Sequence, residues 1–334
     1  MAARLIMRID TPRFFYFLIA ITLFACGNGE SSQVKDTPNE IPPTVVPPVP
    51  VFNPDSAYLS VKEQVAFGPR VPNTKAHKAC GDYLLSRIKR YCANVTEQRG
   101  KVTTYDGVSL DILNIIASFN PEKKGRILLF AHWDTRPWAD QDSQREKEPI
   151  MGADDGASGV AVLIELARLF SIQNPSVGVD IALFDAEDWG AKGGGQEDSY
   201  ALGTQYWTRQ PHVTDYAANY GILLDMVGSK NAQFRLEGFS REQASSVADK
   251  VWTTAANLGY SMYFLREEGG YVTDDHYYVI RYGIPCIDII HSDRATRHGF
   301  GSHWHTHRDD LEIIDPRTLE AVGRTLTQVV YTER

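Results

Sequence analysis

The sequence predicts an α/β fold, a three-layer sandwich with a mixed, largely parallel central sheet flanked by helices. Three observations point there. Short runs of β-formers alternate along the chain with amphipathic helical stretches. The runs at 127–131, 179–184, 221–224 and 285–290 are predominantly apolar on successive residues, as strands buried on both faces are. Each also leads into an acid or a histidine: His132 and Asp134, Asp185 through Asp188, Asp225, and His291. In open α/β sheets the ligand lies beyond the carboxyl ends of the strands, so these ends mark a site.

At the start of the chain, Arg4, Arg8 and Arg13 precede an apolar run at 14–24, of signal-peptide length and too short to span a bilayer comfortably. The run ends Leu23-Phe24-Ala25-Cys26, which resembles a bacterial lipobox. The resemblance implies a lipoprotein signal peptide at 1–25, a lipidated Cys26 and anchorage in the bacterial cell envelope, facing periplasm or surface. Residues 26–54 are polar and then Pro-rich, a composition that packs no core and suits a tether. One catalytic domain is expected at 55–334. Hydrophobic residues make up 43% of the chain, enough for a sizeable core. The net charge of −8, with no basic run, argues against nucleic acid as a partner.

Within the domain, residues 55–66 carry helical spacing (Ala57, Val61, Val65). Residues 75–92 form an amphipathic helix with Ala79, Tyr83, Leu84, Ile88 and Tyr91 on one stripe. Stretches 95–105 and 109–119 read as an antiparallel pair turned at Asp106-Gly107. The strand at 127–131 is followed by a helix at 156–170. After the strands at 179–184 and 221–224 comes a helix at 241–258. The strand at 285–290 and a closing helix at 315–330 complete the order. Cys80 and Cys92 are placed on one helix, too far apart to bond, and Cys286 in a buried strand, so no disulfide is expected.

Four loops carry chemistry. In Met151-Gly-Ala-Asp-Asp-Gly-Ala-Ser-Gly159 one Asp would cap the following helix, so the other is free to bind metal. In Glu187-Asp188 adjacent carboxylates point apart, so one can hold metal while its neighbour acts as a base. In Tyr271-Val-Thr-Asp-Asp-His-Tyr277, Asp274 or Asp275 would accept a substrate hydrogen bond, and His276 would either ligate metal or orient an acid, the second being the commoner role of a lone His. In Ser302-His-Trp-His-Thr-His307 three alternating histidines share a face only loosely, and one ligand is the economical reading. One His and two carboxylates give the donor set of a catalytic zinc with an open position.

The ordered set AHWD, GADDGASGV, FDAEDW, LLDMVG, TDDH and SHWHT spans residues 127–310. It resembles the zinc aminopeptidases of the M28-like family, and more closely their relatives the zinc-dependent glutaminyl cyclases of animals and bacteria. The resemblance implies one zinc per chain, held by Asp155, Asp188 and His305. It implies Glu187 as acid and base, with Asp225 and Asp274 in a carboxylate network beside it. Trp304 and Phe300 match the aromatic wall of a substrate pocket, and His132, Asp134 and His276 stand behind the ligands. In animal cyclases the acid pair is Glu-Glu; here the second member is Asp188. The implied reaction turns the N-terminal Gln of a peptide or protein into a pyroglutamyl residue and releases ammonia. His132, Asp155, Asp188, Asp225 and His305 also fill the five positions of a two-zinc aminopeptidase. A peptide-binding lipoprotein without turnover is a third reading.

Overall fold

The computed structural model describes residues 48–193 and 196–334. The expected signal peptide, Cys26 and most of the expected tether lie outside the described residues.

Local capping sets the first elements. Asn53 accepts the backbone amides of Asp55 and Ser56, starting helix α1 at Pro54–Val65, and Thr74 caps α2 at Lys75–Lys89. Strands β1 (Val95–Thr103) and β2 (Ser109–Phe119) pair antiparallel, and Gly107 at φ 84° makes the turn that Asp106-Gly107 predicts. Then come β3 (Arg126–His132), α3 (Ala157–Ile172), β4 (Gly178–Phe184), α4 (Leu202–Arg209) and β5 (Tyr220–Asp225). The chain closes with β6 (Phe234–Leu236), α5 (Gly238–Gln243), α6 (Ser245–Asn257), β7 (Phe264–Glu268), α7 (Asp275–Tyr282), β8 (Cys286–Ile290) and α8 (Pro316–Thr332).

The sheet runs β1-β2-β4-β3-β5-β8. Strands β4, β3, β5 and β8 are mutually parallel, and the β1–β2 hairpin joins antiparallel through β4. The chain leaves β3 for β4 on one side and later β5 on the other. That reversal opens a crevice at the carboxyl ends of β3, β4 and β5. One face of the sheet is covered by an apolar cluster with α1, α3, α6 and α8. The other face carries a smaller cluster in which Phe130, Phe184, Trp207 and Val279 meet α4 and α7. These are the three layers expected from the sequence. Helix α3 lies close on β5: a Cβ at Gly159 would stand 2.2 Å from the Leu224 carbonyl oxygen.

Several elements differ from the sequence reading. The helix expected at 241–258 is two, broken at Ala244 (φ −144°, ψ 38°), whose side chain turns into the core. Cys92 falls just beyond α2, and Cys80, Cys92 and Cys286 are all free buried thiols. The small parallel pair β6–β7 and helices α4 and α7 are additional. Asp-His-Tyr-Tyr-Val-Ile-Arg-Tyr has β-forming side chains, yet Asp274 caps its start and Gly283 (φ 109°) closes its end, which makes it helix α7.

Candidate active site

The carboxyl end of β4 turns sharply. Ala186 is left-handed at φ 54°, and the next two amides, of Glu187 and Asp188, both donate to the Asp134 carboxylate at 3.0 and 3.2 Å. The end of β3 thereby fixes the acid pair at the end of β4. Left-handed backbone recurs at Met226 (φ 48°), after Asp225, and at His305 itself (φ 53°). Such conformations cost free energy in non-glycine residues and concentrate where side chains must be aimed.

At the mouth of α3, Asp309 receives the amides of Asp154 (2.7 Å) and Asp155 (3.1 Å), so the two adjacent acids diverge. Asp155 turns to the crevice. Asp154 turns away, accepting the Gly228 amide at 2.7 Å and facing His303 Nε2 at 2.8 Å. His305 Nε2 lies 3.3 Å from Asp188 Oδ1 and 3.8 Å from Asp155 Oδ2. Asp155, Asp188 and His305 are all buried and offer three donors within 4.8 Å of one another. Tetrahedral zinc with bonds of about 2.0–2.2 Å needs donors roughly 3.3 Å apart. Asp188 Oδ2 is buried with no hydrogen-bond partner, the mark of an oxygen awaiting a cation. The residues present fit a zinc ion. A second three-donor set, His132, Asp155 and Asp225, shares Asp155: His132 Nε2 lies 3.1 Å from Asp155 Oδ1 and 3.2 Å from Asp225 Oδ1.

Glu187 is buried beside this cluster. Burial first, and the negative charges of Asp274 and Asp188 after it, hold its carboxyl well above the usual range. Burial, reinforced by neighbouring acids, also raises Asp225 and Asp274 to about 7. A carboxylate whose pKa is held up in this way is a stronger base than a free one, as a group that takes and returns a proton must be. Behind Asp274, His276 Nε2 meets Glu237 at 3.0 Å and leaves Nδ1 3.8 Å from the buried Asp288. His276 thus supports the acid layer.

Above the acids opens a cavity of about 590 Å³. Trp304 stacks on His305 with ring centroids 3.8 Å apart, and Phe300 lies 4.7 Å from Trp304, so both expected aromatics stand in one wall. Tyr200 and Tyr271 line the cavity as well. Trp189, which follows the Glu187-Asp188 pair, does not appear among the described residues lining the cavity; it donates to Asp106 and packs edge-on to Trp138.

Sequence reasoning missed Arg136 and Asp140. Fully buried Arg136 donates Nε to Asp140 Oδ1 (2.7 Å) and Nη1 to the Asp188 carbonyl (3.0 Å) and Oδ1 (3.3 Å). Asp140 Oδ1 in turn lies 3.1 Å from His305 Nδ1, off the line of an ideal hydrogen bond. One ion pair thus braces two of the three candidate ligands. Its only trace in the sequence is an Arg two residues after AHWD and four before an Asp.

Residues 114–330 match the model of peptidase family M28. The chain is 50% identical to a Bacteroides thetaiotaomicron glutaminyl cyclase solved with N-acetylhistamine, covering 86% of this chain and 100% of that one at a TM-score of 0.84. It is 52% identical to a Parabacteroides distasonis protein described as a Zn-dependent exopeptidase, with the same coverage and TM-score. Bovine glutaminyl-peptide cyclotransferase is 24% identical over 287 residues, covering 77% of this chain and 76% of that enzyme. The chain belongs to peptidase family M28 and, within it, to the glutaminyl cyclases.

Proposed function

We infer that the protein is a glutaminyl-peptide cyclotransferase, converting an N-terminal glutaminyl residue to a pyroglutamyl residue with release of ammonia. The observation that carries this is Glu187: a buried carboxyl with a raised pKa, beside a zinc-type donor set at the floor of an aromatic-walled cavity. The N-terminal residue would enter at the acids, with the rest of the peptide trailing outward along the cavity.

Asp155, Asp188 and His305 would hold one zinc ion per chain. Bound there, zinc would supply Lewis-acid polarisation of the γ-amide carbonyl. Glu187 takes a proton from the substrate α-amine. The amine nitrogen bonds to the side-chain amide carbonyl carbon (Cδ) of its own residue, the bond from that carbon to the amide nitrogen breaks, and Glu187 returns the proton to the departing ammonia. Burial and the neighbouring Asp274 and Asp188 keep the Glu187 carboxyl basic enough for the first transfer, and Asp225 extends the carboxylate network beside them. Asp134 aims it through the backbone. Trp304 and Phe300 clasp the side chain, excluding the water a peptidase would use.

A second reading rests on the set His132, Asp155 and Asp225, which could take another ion and make the protein a two-metal aminopeptidase. Incubation of a Gln-initiated peptide with the domain, with and without a chelator, separates the two by mass spectrometry. Loss of one ammonia, suppressed by chelation, supports the cyclase. Loss of the whole N-terminal residue, with two metals per chain, overturns it.

We also propose that residues 1–25 are a lipoprotein signal peptide and that lipidated Cys26 anchors the enzyme in the cell envelope by a Pro-rich tether. The supporting features are the basic start, the short apolar run and Ala25-Cys26. Labelling with a radioactive fatty acid tests this, and a Cys26→Ser protein that still takes up label refutes it.

A further inference from the structure

The cavity carries a strong charge gradient. Its floor holds Asp155, Glu187, Asp188, Asp225 and Asp274. Arg297 is the one Lys or Arg side chain among its described lining residues. That guanidinium is exposed, and among the described residues it forms no ion pair. Its loop is tied back on itself. The Asp293 amide donates to the Gly299 carbonyl (2.7 Å), and Thr296 Oγ1 donates to the Phe300 carbonyl (2.6 Å). The next residue, His298, packs on Trp304 with ring centroids 4.9 Å apart. The loop therefore keeps Arg297 by the aromatic wall.

On the reading given above, the α-amine of an N-terminal Gln lies at the acid end of the cavity, and Arg297 faces the part of the peptide that follows it. We propose that Arg297 is a specificity-determining residue that favours peptides with a carboxylate close behind the N-terminal residue. The carboxylate is either the C-terminus of a short peptide or an acidic side chain in second or third position. A guanidinium offers a planar fork that matches a carboxylate in two parallel hydrogen bonds. An exposed pair of this kind changes an equilibrium about two- to fivefold and weakens as salt screens it.

The test measures kcat/KM by ammonia release on two peptide pairs. The first is Gln-Ala with a free carboxylate against Gln-Ala-amide. The second is Gln-Glu-Ala-amide against Gln-Gln-Ala-amide. The carboxylate member is favoured about two- to fivefold in at least one pair, through KM, and the pair that shows it identifies the source. The ratio shrinks at high salt, falls towards one in Arg297→Gln, and drops below one in Arg297→Glu. A wild-type ratio near one, or a ratio unchanged in both variants, overturns the assignment. Should the variants fail to fold, the wild-type salt titration decides: a ratio unmoved by salt overturns it. Peptides cyclised without carboxylate preference overturn this inference alone; peptides left uncyclised overturn the cyclase reading with it.

Discussion

Arg136→Lys isolates the brace behind the metal site. The substitution keeps a positive charge and removes the planar fork. Arg136 makes two contacts with Asp140, at 2.7 and 3.2 Å, and two with Asp188, at 3.0 and 3.3 Å. An ammonium on a shorter arm cannot satisfy both acids. Both are buried, and a buried charge-assisted hydrogen bond contributes about 1.5–3 kcal/mol, so losing one side of the brace costs about 2–4 kcal/mol of stability. The effect on the ion is separate. Partners that orient metal ligands typically change affinity 10–100-fold, which is about 1.4–2.8 kcal/mol. Chelator competition with a zinc-sensitive dye gives the dissociation constant, and far-UV circular dichroism checks the fold. A folded Arg136→Lys protein whose zinc affinity stays within about twofold of wild type would refute the brace.

Glu187→Gln should abolish ammonia release while zinc content stays at the wild-type level; normal turnover in that variant removes the acid–base assignment. Trp304→Ala should raise KM about tenfold or more, since it deletes a ring stacked on His305 and Phe300; an unchanged KM would place the substrate elsewhere. Gly159→Ala should destabilise the domain by about 3 kcal/mol, because the new methyl meets the backbone oxygen of Leu224; denaturant melting at wild-type strength would contradict that contact. Burial holds Asp225 and Asp274 up at about 7 and Asp275 at about 8, so the fold binds protons that the unfolded chain has already lost. The chelated protein should therefore lose stability as pH rises from about 6.5 to 8, read as a falling Tm; a Tm that climbs across that window reverses the sign.

The strand ends were legible because burial on both faces writes a continuous apolar run, and an acid after it is conspicuous. The pair Glu187-Asp188 needed no tertiary information to be noticed. The three alternating histidines were less readable, since alternation assumes an extended backbone. The chain there turns instead: the Trp304 amide bonds to the Gly301 carbonyl, the Thr306 amide to that of His303, and His305 is left-handed. His303 goes to Asp154, His305 to the crevice and His307 to Asp142. Arg136 and Asp140 were invisible for another reason. A buried ion pair looks like any surface Arg and Asp until packing removes the water. Helix α7 was hidden by residues whose own preference is for strands, overruled by its two caps and by Val279 packing beneath the sheet.

The left-handed residues at 186, 226 and 305 bear on how the molecule is born. A non-glycine chain seldom visits that backbone region by itself, and it stays there only once surrounding contacts demand it. Local preference builds helices early, while these three joints wait for strands β3, β4 and β5 to dock and for the loops beyond them to settle. Recovery of turnover on refolding should therefore lag the return of the far-UV circular dichroism signal; the two returning together would show that these joints close with the rest of the fold.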